Sequence, residues 1–199
     1  NYSDKKTMKY VYLFGGKQTQ GNAKQKNILG GKGANLAEMS RLKIPVPPGF
    51  TVSTAVCNQF LSDNQLKSAV IKQIKVALNK IEAIIGGKFG DEKFPLLVSV
   101  RSGARVSMPG MMETVLNIGL TEKTIPGLIE RTNNPRFVYD SYRRLIMMYA
   151  DVVMEKARRK NDASKDGIRA DLETIMSDMK KSKNITNDFE LDTNDLKIL

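Results

Sequence analysis

Apolar and polar positions along this chain change period several times, and each change marks an element. Tyr10 to Phe14 (YVYLF) is a β-branched and aromatic run that predicts a strand. It gives way to a Gly/Gln/Asn/Lys stretch, Gly15 to Asn27, that reads as loop. Gly30, Gly31 and Gly33 then precede ANLAEMSRL, where Leu36, Met39 and Leu42 recur at helical spacing, so a glycine loop is expected to feed a helix N-terminus. Pro45, Pro47, Pro48 and Gly49 end that helix, and a short strand over Phe50 to Val52 leads to a helix capped by Ser53 or Thr54 and reaching about Leu61. The most amphipathic segment follows: Val70, Ile74, Ala77, Leu78, Ile81, Ile84 and Ile85 form one stripe, stopped by Gly86 and Gly87.

The second half alternates again. Pro95 introduces LLVSV, a continuous apolar run of buried-strand length that ends in Arg101, Ser102 and Gly103, and Thr114 to Ile118 (TVLNI) is its expected partner strand. Between them Arg105 to Met112 (RVSMPGMM) reads as a Pro/Gly loop. Asn134 with Pro135 at N1 opens a helix in which Val138, Tyr142, Leu145, Tyr149 and Val152 share a face. A break at Asn161 to Ser164, an amphipathic helix through Ile168, Leu172, Ile175 and Met179, and a fresh helix start at Asp192 or Thr193 complete the pattern. The expected organisation is a flexible tail over 1–9, an α/β subdomain over 10–120 and a helical segment of the same domain over 121–199. The helix start just before Leu199 points to a fragment of a longer protein.

Composition narrows the chemistry. The 199 residues contain no histidine and one cysteine, which leaves no imidazole general base, no Ser/His/Asp or Cys/His triad and no Cys/His zinc site. Cys57 reads as a small buried hydrophobe on a helix face. No apolar run approaches the roughly 20 residues of a bilayer span, so no membrane association is expected and the chain reads as cytoplasmic, with an organelle left open. The net charge of +11 is concentrated near the start: nine basic and two acidic residues lie between Asn1 and Gly49. That excess suits a phosphorylated ligand or a nucleic acid. The second reading is disfavoured, since the N-terminal charge sits in an Asn/Gln/Gly/Lys loop without interleaved aromatics.

Three segments carry candidate chemistry. GGKG at Gly30 to Gly33 combines glycine amides at a helix N-terminus with Lys32, the composition of an anion site, although GGK recurs at Gly15 and Gly86 and neither a P-loop nor GxGxxG is completed. SVRSGAR delivers Arg101 at a strand end with Arg105 four residues on, suited to a polyphosphate; an ion pair with a nearby carboxylate is the bland alternative. MPGMMET brings Gly110 and Met112 into an adaptable apolar loop that fits a purine face or a core. Asp188, Glu190 and Asp192 alternate as in a calcium loop, but Thr193 stands where the turn needs glycine, and they read as helix caps.

NILGGKGANLAEMSRLKIPVPPGFTVST, PLLVSVRSGARVSMPGMMETVLNIGL and NPRFVYDSYRRLIMMYADVVM together resemble the N-terminal part of the pyruvate, phosphate dikinase family. The resemblance implies an α+β, ATP-grasp-like nucleotide-binding domain with a mixed sheet flanked by helices. It implies a phosphotransferase that converts ATP, phosphate and pyruvate to AMP, pyrophosphate and phosphoenolpyruvate through a phosphohistidine on another domain. Lys32 and Arg101 would be the catalytic and phosphate-contacting residues, with Arg105, Gly110 and Met112 also binding nucleotide. ATP and Mg2+ would be the cofactors, the magnesium ligands falling outside this chain. The partners would be the carrier and pyruvate-binding domains of a full-length enzyme with room for homo-oligomer formation. On this reading the fragment alone is inactive. The pyruvate, water dikinases share the GGK and PVPPGF elements and are the nearest alternative; a nucleic-acid-binding or a regulatory nucleotide-binding module is the alternative from another class.

Overall fold

The computed structural model describes residues 8–103, 114–154 and 167–199, which fall into two compact units. Residues 8–86 with Gly103 build the first, and 87–102 with the described residues from 114 onward build the second. This division runs through the 10–120 segment, because the stretch after Gly86 packs with the later helices. Residues 1–7 of the tail, Arg105 to Met112 and the helix break at Asn161 to Ser164 lie outside the described residues.

In the first unit β1 (Val11–Phe14) pairs antiparallel with β2 (Gly49–Val52) in the register Val11 to Val52 and Phe14 to Gly49. Helices α1 (Lys26–Arg41), α2 (Thr54–Asp63) and α3 (Ser68–Ile85) complete it. The stretch from Gly15, expected to be loop as far as Asn27, is organised by side chains. Leu13 donates its amide to Gln20 Oε1 at 3.1 Å and accepts the Gln20 amide at 2.7 Å. The Asn22 side chain then caps a 3-10 turn, Ala23–Gln25, that runs directly into α1. The helix therefore begins before the glycines. Its buried face is also not the expected Leu36, Met39 and Leu42 row: Met39 and Leu42 are exposed, and Leu29, Gly33, Ala34 and Ala37 are buried. A small-residue face allows close approach, and a Cβ on Gly33 would stand 2.7 Å from Thr51 Cγ2.

In α3 Val70, Ala77 and Ile81 are buried as expected, whereas Ile84 and Ile85 are exposed. Gly86 ends that helix in the left-handed region at φ 85°, its amide donating to Glu82 O at 2.8 Å. Cys57 on α2 is exposed, contrary to its reading as a buried hydrophobe.

The second unit holds β3 (Val98–Arg101) antiparallel to β4 (Thr114–Ile118), with Arg101 opposite Thr114. TVLNI is thus the partner strand, but β3 is not buried: Val100 is 55% exposed and burial falls on Leu96. The described residues contain two separate two-stranded antiparallel sheets in place of one mixed sheet, so the coarser α+β class holds. The core gathers Leu120, after β4, with Ile125 and Leu128 of α4 (Ile125–Thr132) and Val138 of α5 (Pro135–Tyr149), and Leu97 and Tyr142 pack against them. Each such fully buried aliphatic side chain contributes roughly 1.5–3 kcal/mol. Asn134 caps α5 as expected, accepting from Phe137 N at 3.0 Å. Helix α5 ends in a π-helical turn, Ala150–Met154, and Tyr149 is exposed instead of sharing the buried face.

Beyond it lie α6 (Ile168–Ser182) and α7 (Thr193–Ile198). Asp192 caps α7, accepting from Asn194 N at 2.8 Å and Asp195 N at 3.0 Å, and Glu190 closes the preceding 3-10 turn. Asp188 instead meets Lys180 at 2.9 Å and the buried Arg143 at 3.6 Å. Arg143 Nη2 lies 2.7 Å from Asp140 Oδ1, and its Nη1 faces the sulfurs of Met147 and Met176 at 3.2 and 3.4 Å. Burial alone would raise the Asp140 carboxyl, but hydrogen bonds from Arg143 and Arg144 outweigh it and hold the pKa below 3.8.

Two predictions follow from this packing. A Cβ on Gly127 would lie 2.0 Å from Glu92 O. Gly127→Ala, ordinarily a gain of about 1 kcal/mol in a helix, is expected to cost about 1–3 kcal/mol through overpacking; urea unfolding of the variant checks the sign. Because the folded Asp140 pKa is lowered, its stabilising contribution is complete above the unfolded value of 3.8 and is lost as pH falls through the lower folded value. The stability difference between the natural chain and Asp140→Asn should therefore be constant near neutrality and shrink in acid, as denaturant titrations at a series of pH values would record.

Candidate functional site

The glycine-rich turn is built by two backbone constraints on either side of one cation. Gly30 sits inside the helical run at φ 70° and ψ 173°, a conformation nearly confined to glycine, and there the helix breaks and restarts. Gly33 is required by Thr51, as described above. Gly31, Lys32 and Gly33 thus form the first turn of the restarted helix, where the dipole favours negative charge. A glycine turn feeding a helix is therefore present, reduced to one residue within a longer helix. Lys32 is half-buried, and among the described residues it makes no ion pair. Its neighbours hold the turn in place: Thr54 Oγ1 donates to Asn27 O at 2.6 Å, which ties the start of α2 to the residue three before Gly30.

Arg101 ends β3, exposed, and the ladder to Thr114 holds its backbone. Among the described residues it too lacks a carboxylate partner, so the bland reading of a paired strand-end arginine is not what the described residues show. Lys32 belongs to the first unit and Arg101 to the second. Arg105, Gly110 and Met112 lie outside the described residues. Gly103, which the sequence offers only as part of SVRSGAR, belongs to the first unit, where a Cβ on it would stand 3.9 Å from Leu29 O, the carbonyl that immediately precedes Gly30. Ser53 was expected as a helix cap; it occupies that position, but its buried Oγ has no hydrogen-bond partner among the described residues. No helix among the described residues is long and apolar enough to cross a membrane.

Residues 26–84, from the first residue of α1 to the last turn of α3, match the family model described as the pyruvate phosphate dikinase, AMP/ATP-binding domain. The match likens this segment to a nucleotide-binding domain. Over nearly its whole length the chain is similar to proteins named pyruvate, phosphate dikinase. It is 47% identical over 192 residues to pyruvate, phosphate dikinase of Clostridium symbiosum, which covers 96% of this chain and 20% of the relative. It is 51% identical over 147 residues to the Rhizobium meliloti (strain 1021) enzyme, covering 73% and 16%. Against pyruvate, phosphate dikinase 1, chloroplastic, of Zea mays it is 44% identical over 194 residues, covering 97% and 19%. The chain spans about a fifth of the length of these relatives.

The constraints on the turn predict a clean separation of roles. Gly30→Ala should cost about 1–3 kcal/mol of stability, because alanine is strained at this φ and ψ. Lys32→Ala should stay within about 0.5 kcal/mol of the natural chain, as a substitution that removes no backbone constraint and no ion pair. Equilibrium unfolding of the two variants side by side measures both.

Proposed function

We propose that this chain is the ATP-binding, N-terminal part of a pyruvate, phosphate dikinase. The full-length enzyme converts ATP, phosphate and pyruvate to AMP, pyrophosphate and phosphoenolpyruvate, through a phosphohistidine carried on another domain. The observation that carries the reading is the pair of cations at the two matching motifs, Lys32 at the glycine turn and Arg101 at the strand end, neither neutralised by a carboxylate among the described residues. Unpaired cations on a rigid turn and a strand end are what a transferring phosphoryl group needs, since such chemistry asks the protein chiefly for positioning and charge stabilisation. It requires no imidazole on this chain, in keeping with the absence of histidine.

In this proposal Lys32 and Arg101 contact the ATP phosphates, Arg105 adds a further positive charge, and Gly110 and Met112 belong to the loop against the nucleotide. The fold of the complete domain is ATP-grasp-like. Magnesium accompanies ATP, but no group of three His, Cys, Asp or Glu side chains among the described residues is placed to hold a metal. Its ligands are accordingly assigned to the remainder of the enzyme, together with the carrier and pyruvate-binding domains.

The test uses the full-length enzyme and its two half-reactions. A charge-assisted hydrogen bond to phosphate is worth roughly 1.5–3 kcal/mol. Lys32→Ala and Arg101→Ala are each expected to slow ATP-dependent phosphorylation of the carrier histidine by at least about thirtyfold. Transfer between phosphorylated carrier and pyruvate should be unchanged. Arg101→Lys should not restore the first rate, because lysine lacks the planar fork of arginine. Equal loss in both half-reactions of a folded variant, or loss in neither, would refute the assignment.

A further inference from the structure

Between β1 and α3 of the first unit lies a groove of about 510 Å³, well apart in its lining from the glycine turn, since none of its lining residues comes from α1. Val11, Leu13 and Val76 supply apolar lining, and the exposed Lys9, Lys72 and Lys80 line the groove beside them. The volume falls within the roughly 300–1,000 Å³ of small-molecule sites. The lysines have no carboxylate to answer them: among the described residues none of the three forms an ion pair. The contact recorded for Lys9 is with the Tyr12 ring, whose centroid lies 4.6 Å from Nζ. Burial and repulsion from Lys80 push the Lys9 ammonium below its ordinary pKa.

The backbone around this groove is fixed. Gln73 Oε1 accepts from the amides of Tyr10 and Val11 at 2.8 and 3.2 Å, and its Nε2 donates to Met8 O at 2.8 Å. The backbone on either side of Lys9 is thereby held against α3, and Lys9 stands within electrostatic reach of Lys80. Three lysines lining one partly apolar groove, unanswered by carboxylates among the described residues, form a site that a dianion would neutralise. The apolar wall gives such a ligand's uncharged body a place to lie.

We propose that this groove is a second anion site, which takes a phosphate monoester carrying an apolar body of about the size of an aromatic ring system. The proposal does not rest on the nucleotide-binding reading, because it shares no residue with the glycine turn or with Arg101. Its volume suits a small molecule, the three lysines and the apolar lining belonging to one groove.

The test is isothermal titration of the full-length enzyme with 1-naphthyl phosphate while ATP is saturating, so that the nucleotide site is already filled. One site per chain is expected, and both 1-naphthol and inorganic phosphate should bind at least tenfold more weakly than the ester. Lys72→Gln with Lys80→Gln should weaken the ester at least tenfold and leave ATP affinity within twofold, and the doubly arginine-substituted chain (K72R with K80R) should retain the ester within threefold. In Lys32→Ala with Arg101→Ala, titrated without ATP, ester binding should persist even if nucleotide binding is lost; this arm separates failure here from failure of the nucleotide assignment. Absence of ester binding in the presence of ATP, equal affinity in the glutamine variant, or parallel loss of ester and ATP in that variant would each overturn the proposal.

Discussion

The close approach of α1 to β2 at Gly33 and Thr51 constrains the backbone around Lys32. A side chain at position 33 would push the helix off the sheet, and the turn at Gly30 would have no fixed direction in which to leave. Helix and strand meet where Gly33 leaves room for the Thr51 side chain, so the contact leaves little freedom to absorb a change. The backbone of Lys32 is fixed by these constraints, and among the described residues no ion pair neutralises its charge.

The second unit reaches a comparable rigidity by other means. Arg143 is buried, and its guanidinium joins Asp140 on its own helix to Asp188 on the segment leading into α7, while Arg136 donates to Leu191 O at 2.8 Å and Asp188 O at 3.1 Å. A buried guanidinium is costly to desolvate, and such a group persists only where its donors are answered. Here two carboxylates and two thioethers surround it. The result is a polar tie across elements far apart in sequence, while the aliphatic cluster around Val138 supplies the bulk of the hydrophobic stabilisation.

Much of this was legible in the residues. Asn134–Pro135, Gly86 and Asp192 mark helix ends with local chemistry that needs no tertiary partner, and those boundaries agree with the structure. Helix α4 is not among the expected elements: Pro126 and Gly127 weaken any local helical signal, although proline is at home in a first helical turn and Gly127 is needed for the approach to Glu92. The buried face of α1 was hidden for a related reason: glycine and alanine carry little hydrophobic signal, so the larger Leu36, Met39 and Leu42 set the apparent period. An apolar run such as LLVSV reads as buried whether or not a second layer covers it, which is why the exposure of Val100 was not foreseen. At the site, the position of Lys32 beside a helix start was readable from spacing, whereas the proximity of Gly103 to Leu29 is a long-range contact that no local pattern encodes.

The glutamines beside β1 have a consequence for how the molecule behaves among copies of itself. Its edge away from β2 would normally offer free amides to any passing strand, yet Gln20 and Gln73 occupy the amides of Tyr10, Val11 and Leu13. Gln20 is seven residues from Leu13, so this closure requires only a short loop, whereas pairing with Phe50 must wait for a much longer one. The strand can thus be sealed on one side before its proper neighbour arrives on the other. During folding, the interval in which an unpaired β-rich segment invites intermolecular association is shortened by an amide side chain that imitates a strand.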